Sequence, residues 1–535
     1  MRNKTNTLNS LKIGLLSLMF ILSSNAFAAD SEYLENITLP ECDATNPEVQ
    51  FISSNADWSK INDSSKSIFC VKPGDYRSAG KITLSADGSS AKRRYIVLDN
   101  GNDTHPAKLE TSEQANVWLS FDNGGSYWVI DRISSLSVDT GSAEKLYRFY
   151  GGASNNILNR LHITDLKDHG IAFYHGCDNN TIQNSRIADM SLGGRQRDRV
   201  AILLSNSITD GSTTLNTKII NNEIVNACDA IQLTRADDGT YTNVNFAGTI
   251  IDNNLLWITP DIYTDEEHAW AENAIDLKAG SKDTANPVVI TNNKMWGFRH
   301  NSSGSGQGKA VTIHFGVPNL VFENNYIMDS EWGISLSTSR DNDIPYPAMN
   351  ALFKHNVFYK VNKTVDGDTP YVMFSYACNN IRIEENVWVG SLTGYAMRFE
   401  NNSGDTTFKN NVLISSGQTA HVSGVLEASG NYYYDTSNGI KGTGDISYAN
   451  ASDAKMGDYT FNYDLFTNNP KQITLVGVVT TSLSPHANLA GIPDAPVSEE
   501  PVAEEPVAVE PVTVEPVTVE PTGPWIMDYQ NKELK

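Results

Sequence analysis

The sequence predicts an all-β fold, a right-handed parallel β-helix, from three observations. A four-residue motif that starts on an apolar residue and ends on a polar one, usually Asn, recurs many times, as in Ile219-Ile220-Asn221-Asn222 and Ile251-Asp252-Asn253-Asn254. Its clear copies are spaced 25 to 39 residues apart, too irregularly for the even four-strand blades of a propeller. A second strand-like segment falls between successive copies, and long amphipathic helical patterns are absent. Short strands, β-branched residues and Asn at corners fit a coil that stacks on its neighbours, because Asn tolerates left-handed backbone geometry at a bend. The hand follows from the right-handed preference of crossovers between parallel strands.

Residues 1–28 read as a secretory signal peptide. Arg2, Lys4 and Lys12 precede an apolar run from Ile13 to about Leu22, and Ala26-Phe27-Ala28 is a small-x-small cleavage site. The run is too short to span a bilayer, and no other stretch is long enough. The expected location is therefore periplasmic or extracellular. Residues 29–110 lack a clear repeat and read as an N-terminal capping region. Within them Ser67–Val71 and Tyr95–Leu98 are strand-like, and Pro73-Gly74-Asp75 is turn-like.

The repeat region is taken as 111–490. Its motif copies begin weakly at Ile157–Arg160 and run through Asn184-Ser185, Asn292-Asn293, Asn324-Asn325, His355-Asn356 and Glu385-Asn386 to Asn410-Asn411. Insertions between copies change coil length without changing register. Residues 491–535 shift to a Pro-Val-Glu series, which fits an extended acidic linker or stalk.

Of five cysteines, Cys42 and Cys70 are a plausible bridge in an oxidising compartment, and Cys177, Cys228 and Cys378 read mostly as small buried residues. The formal charge of −23 argues against nucleic acid as a partner. An acidic substrate would need a local positive patch or a bound cation. A monomer is expected.

The chemistry concentrates in Ala271–Gly280, where Ile275 and Leu277 would face a core and Asn273, Asp276 and Lys278 the outside. Stacking the second strand family sets three outward columns side by side. The first holds His169, Val200, Asp229, Asn273, Lys309 and Trp332; the second Ala172, Leu203, Gln232, Asp276, Thr312 and Ser335; the third Tyr174, Ser205, Thr234, Lys278, His314 and Ser337. With coils about 4.8 Å apart, the charged residues gather within a few coils. Asp229, Glu272, Asn273 and Asp276 are hard oxygen ligands of the kind Ca2+ takes. Lys278 or His314 could act as a general base. Lys309, Arg235 and Arg299 add positive charge, and Tyr174 and Trp332 could stack on sugars. The bland alternatives are a surface ion pair, a hydrogen-bonded strand histidine and ordinary aromatic packing.

Over roughly 40–490 the chain resembles the secreted right-handed β-helix polysaccharide lyases. Glu272-Asn273-Ala274-Ile275-Asp276-Leu277 resembles the calcium motif of family nine pectate lyases, with Glu and Asn replacing the leading acids. In a second alignment Lys278 resembles the catalytic lysine of the family six alginate and chondroitin lyases, and His314 stands where their arginine would be. The resemblance implies a carbon–oxygen lyase that cleaves a uronic-acid polysaccharide by β-elimination. Lys278 would be the base, His314 or Tyr174 the proton donor, and calcium or an arginine such as Arg299 the neutraliser of the carboxylate. The rivals are a β-helix glycoside hydrolase working through Asp229, Asp276 and Glu272, a C5-epimerase, and a non-catalytic binding or adhesin solenoid.

Overall fold

The computed structural model describes residues 33–99, 115–122, 124–136, 147–164, 169–189, 200–206, 213–235, 244–259, 272–298, 308–314, 317–337, 349–359, 361, 373–376, 378, 380–389, 395–402, 406–414, 418–424, 427–434, 442–448, 455–456 and 459–460. The signal-peptide segment, the acidic tail and Arg299 lie outside the described residues.

Three long parallel sheets make up a right-handed parallel β-helix. Counted over the described residues, the first sheet has 14 strands, from Val49–Ile52 to Glu427–Ser429. The second also has 14, from Gly74–Asp75 to Ile446–Tyr448. The third has 12, from Lys81–Thr83 to Gln418–Gly424. Each coil gives one strand to each sheet in turn. Ile250–Asp252, Leu255–Trp257 and Asn273–Leu277 form one such coil before Val288–Thr291 starts the next. No helix among the described residues is long and apolar enough to cross a membrane.

Inward residues form one continuous apolar core along the axis. Like stacks on like, as in Phe121, Phe149 and Phe173, whose rings lie 4.1 and 4.4 Å apart. The coils start earlier than the sequence suggests. Val49–Ile52, Ile68–Val71 and Arg94–Leu98 already belong to the first sheet, so the expected capping region contributes coils of its own.

The Asn-Asn pairs have two distinct jobs. The first residue takes left-handed geometry between the first and second sheets, with φ of 56° at Asn221, 57° at Asn253 and Asn292 and 58° at Asn324. The second builds a buried ladder. The Asn254 backbone N–H and Nδ2 both donate to Asn293 Oδ1, and Asn293 repeats this toward Asn325, then Asn356, Asn386, Asn411 and Asn431. A buried amide at this corner satisfies backbone groups of two coils at once.

Cys42 and Cys70 are disulfide-bonded, while Cys177, Cys228 and Cys378 are free and buried. Upstream of Cys42 the chain reaches far along the first sheet. The backbone of Glu35 exchanges hydrogen bonds with the Gln183 amide at 3.0 and 2.9 Å, and its carboxylate pairs with Lys218 at 2.6 Å.

Candidate functional site

Three consecutive strands of the third sheet, Asp229–Arg235, Asn273–Leu277 and Lys309–His314, build the site. Each contains two consecutive inward residues: Ala230 and Ile231, Ala274 and Ile275, Ala310 and Val311 all lie in the core. Strict alternation would put Asn273 on the same side as Ile275. The doubled inward step re-phases the strand, so Asn273 and Asp276 both face outward. Because the neighbouring strands carry the same step, the register survives.

The columns are those of the expected stacking. Asp229, Asn273, Lys309 and Trp332 are register partners, as are Gln232, Asp276, Thr312 and Ser335. Lys278 follows Leu277 directly, and its N–H donates to the Leu233 carbonyl.

Two carboxylates lie at the base of the cluster. Asp229 is 1% exposed and Asp276 is 3% exposed. Gln232 Nε2 donates to both, at 3.0 and 2.9 Å. Asn273 Nδ2 donates to the other Asp229 oxygen at 2.8 Å, and the Thr312 hydroxyl donates to Asn273 Oδ1. Above them Lys278 Nζ and His314 Nε2 each approach Asp276 at 3.2 Å, with side chains 29% and 34% exposed. The acids are therefore buried, and the nitrogen groups face outward.

The electrostatics divide the groups. Burial, helped by the negative charges of Asp276 and Glu272, pushes the Asp229 carboxyl well above the usual range. Burial opposes ionisation of Asp276 too, but the nearby His314 and the Lys278 charge outweigh it and hold its carboxyl below the usual range. Burial would also strip the proton from Lys278, but the nearby carboxylates, Asp276 foremost, outweigh that and hold it as an ammonium. Lys309 behaves differently. Burial pushes its amine down to about 8 despite Glu272, Asp276 and Glu331, and its Nζ lies 5.5 Å from the centre of the Trp332 ring.

The remaining expected residues separate. Glu272 sits at the edge of the cluster, with its backbone bonded to Cys228 and Lys309. Tyr174 packs against the outward apolar cluster of Ala172, Val200 and Leu203, three coils from Lys278 or about 14 Å. Arg235 ends its strand opposite Asn206. Gln232 and Thr312 were visible in the sequence as column members, but only the folded register shows that they tie the acids together.

The oxygen set does not fit a calcium ion. Calcium takes about six to eight oxygens, whereas here amide, ammonium and imidazole nitrogens lie against the oxygens of both aspartates. Among the described residues, no three His, Cys, Asp or Glu side chains converge as a metal site.

No family model and no curated protein matches the chain. Among solved structures, it is similar to a mannuronic acid specific polysaccharide family 6 lyase from human gut microbiota, at 13% identity over 75% of this chain and 90% of that one, with a TM-score of 0.46. It is also similar to the catalytic domain of a GH87 α-1,3-glucanase, at 12% identity over 77% and 68%, with a TM-score of 0.42. A third is the A-module of a mannuronan C-5 epimerase from Azotobacter vinelandii, at 12% identity over 74% and 93%, with a TM-score of 0.39. These similarities are structural, and the chemistry of the site is read from its own residues.

Proposed function

We propose that the chain is an exported carbohydrate-active enzyme, specifically a lyase that cleaves a uronic-acid polysaccharide by β-elimination. The observation that carries this reading is the layering of charge. Lys278, Lys309 and His314 are half-buried and form the outer members of the cluster, and Asp229 and Asp276 lie buried behind them. A glycosidase needs two carboxyl groups flanking the scissile bond, and these two are turned to nitrogen donors instead. An outward layer of ammonium and imidazole suits a sugar that carries its own carboxylate.

The roles follow from the state of each amine. Lys278, held as an ammonium by Asp276, neutralises the uronate carboxylate and so acidifies the C5 proton. Lys309, made neutral near pH 8 by burial, takes that proton. The C5–H electrons form the C4–C5 double bond, the C4–O bond breaks, and His314 gives its proton to the leaving oxygen. This moves the base from Lys278 to Lys309, because a lysine paired to a buried aspartate keeps its proton. Trp332, which carries Lys309 on its face, positions the base.

The test is to incubate the purified chain with a panel of polyuronates and follow the near-ultraviolet absorbance of the unsaturated product. A rise on one polymer, lost in Lys278→Ala and in Lys309→Ala, is expected. Reducing ends without that absorbance would point to hydrolysis. A sugar changed at C5 without chain cleavage would point to epimerisation.

A further inference from the structure

We infer that the Lys278 ammonium holds the place of a divalent cation over the Asp229–Asp276 pair, so that the site takes no calcium. The inference builds on the roles proposed above, but it concerns ion binding and can fail independently of them.

The hydrogen bonds point this way. Asp229 accepts from Asn273 on one oxygen and from Gln232 on the other, at 2.8 and 3.0 Å. One Asp276 oxygen takes Gln232 at 2.9 Å and Lys278 at 3.2 Å; the other, 3.2 Å from His314 Nε2, makes no hydrogen bond among the described residues. A calcium ion would have to displace several of these donors together. Asn273 cannot easily turn its oxygen to a metal, since that oxygen already accepts from Thr312.

Charge position supports the same conclusion. The Lys278 ammonium lies 3.2 Å from Asp276, so a second cation over the pair would sit beside it, and like charges at that range repel. Removing the ammonium should reverse this. The two carboxyls would then lack their cation, and a metal becomes the cheapest way to supply one.

The experiment is calorimetric titration of the purified chain with calcium chloride, alongside thermal melts in calcium and in chelator. The wild type is expected to give no saturable heat that depends on Asp276, and the same melting temperature in both. Lys278→Met is expected to gain a calcium-dependent rise in melting temperature, and Lys278→Arg, which keeps a cation, is expected to gain none. Any wild-type binding that persists in Asp276→Asn lies elsewhere and agrees with the inference. Wild-type calcium binding that Asp276→Asn abolishes would overturn it. So would a folded Lys278→Met protein that stays indifferent to calcium. If Lys278→Met fails to fold, the wild-type, Asp276→Asn and Lys278→Arg titrations still decide.

Discussion

Lys278 and Lys309 lie one coil apart and are different acids. The first is paired with Asp276, and the second lies 5.5 Å from the centre of the Trp332 ring, with Glu272, Asp276 and Glu331 as its nearby charges. If Lys309 is the base, activity must rise with pH as its ammonium titrates, with a limb near 8. Lys309→Arg should abolish that limb and lower the rate by about a hundredfold or more; a pH–rate profile on saturating substrate checks this. An unchanged limb in that variant would return the base to another group. Lys294 is a more deeply buried amine, 1% exposed and with no hydrogen-bond partner at Nζ among the described residues. Burial pushes it down to about 8 from 10.5. Its folded pKa lies below the unfolded one, so the unfolded chain binds more protons between those values and stability rises with pH there. Below about 8 the penalty is complete, of the order of 3 kcal/mol. Lys294→Met should therefore raise the melting temperature at neutral pH, with a gain that shrinks toward pH 10.5. A gain independent of pH would mean that packing, not charge, is responsible. Lys309 was legible in the sequence as an outward positive charge, but the surroundings that set either amine apart were not, because a lysine in a strand looks the same whether paired, bare or exposed.

At the scale of the element, the Asn ladder joins local geometry to the stacking of coils. Asn325 donates to the Ile290 and Glu323 carbonyls and to Asn356, and accepts from Asn293. Asn325→Ala removes these together and leaves buried backbone groups unpaired. A loss of about 3 kcal/mol is expected, read as a lowered denaturant midpoint. Asn324→Ala, one position earlier, should cost less, with about 1 kcal/mol coming from the left-handed backbone. Equal losses would mean that the two positions do not have separate jobs. The ladder's positions were legible because Asn is scarce inside strands and recurs at each coil. The outward columns were legible from the same alignment, since equal offsets along like strands must stack. The doubled inward step at Ala274 and Ile275 was not legible, because two consecutive apolar residues also fit a strand buried on both faces. That step is what lets Asn273 and Asp276 share the outer face the sequence reading gave them; the hydrogen bonds that tie them together were legible only in the folded register.

At the scale of the whole molecule, the proposed lyase reading requires a chain of net charge −23 to bring a polyanion to its cluster of amines. Long-range repulsion opposes the encounter, while the local attraction acts only at contact. Salt screens the first more than the second, because exposed charges beyond about 10 Å are largely screened at 0.1 M. The Michaelis constant for a polyuronate should therefore fall as ionic strength rises from very low to moderate values, opposite to the usual trend for cationic proteins that bind polyanions. A constant that only rises with salt would mean that the local patch already dominates at a distance. The solenoid suits such a substrate, since the third sheet presents its columns along the axis and a polymer can lie across several coils.

The most direct test of the central claim is the mass of the products formed when the purified chain digests a polyuronate in heavy-oxygen water. Elimination moves a proton and breaks the C4–O bond without adding water. The account predicts products with an unsaturated end, one water lighter than hydrolysis would give and with no solvent oxygen incorporated by cleavage. Saturated products carrying one heavy oxygen per cut would contradict it, and would mean that the buried aspartates, not the lysines above them, meet the substrate.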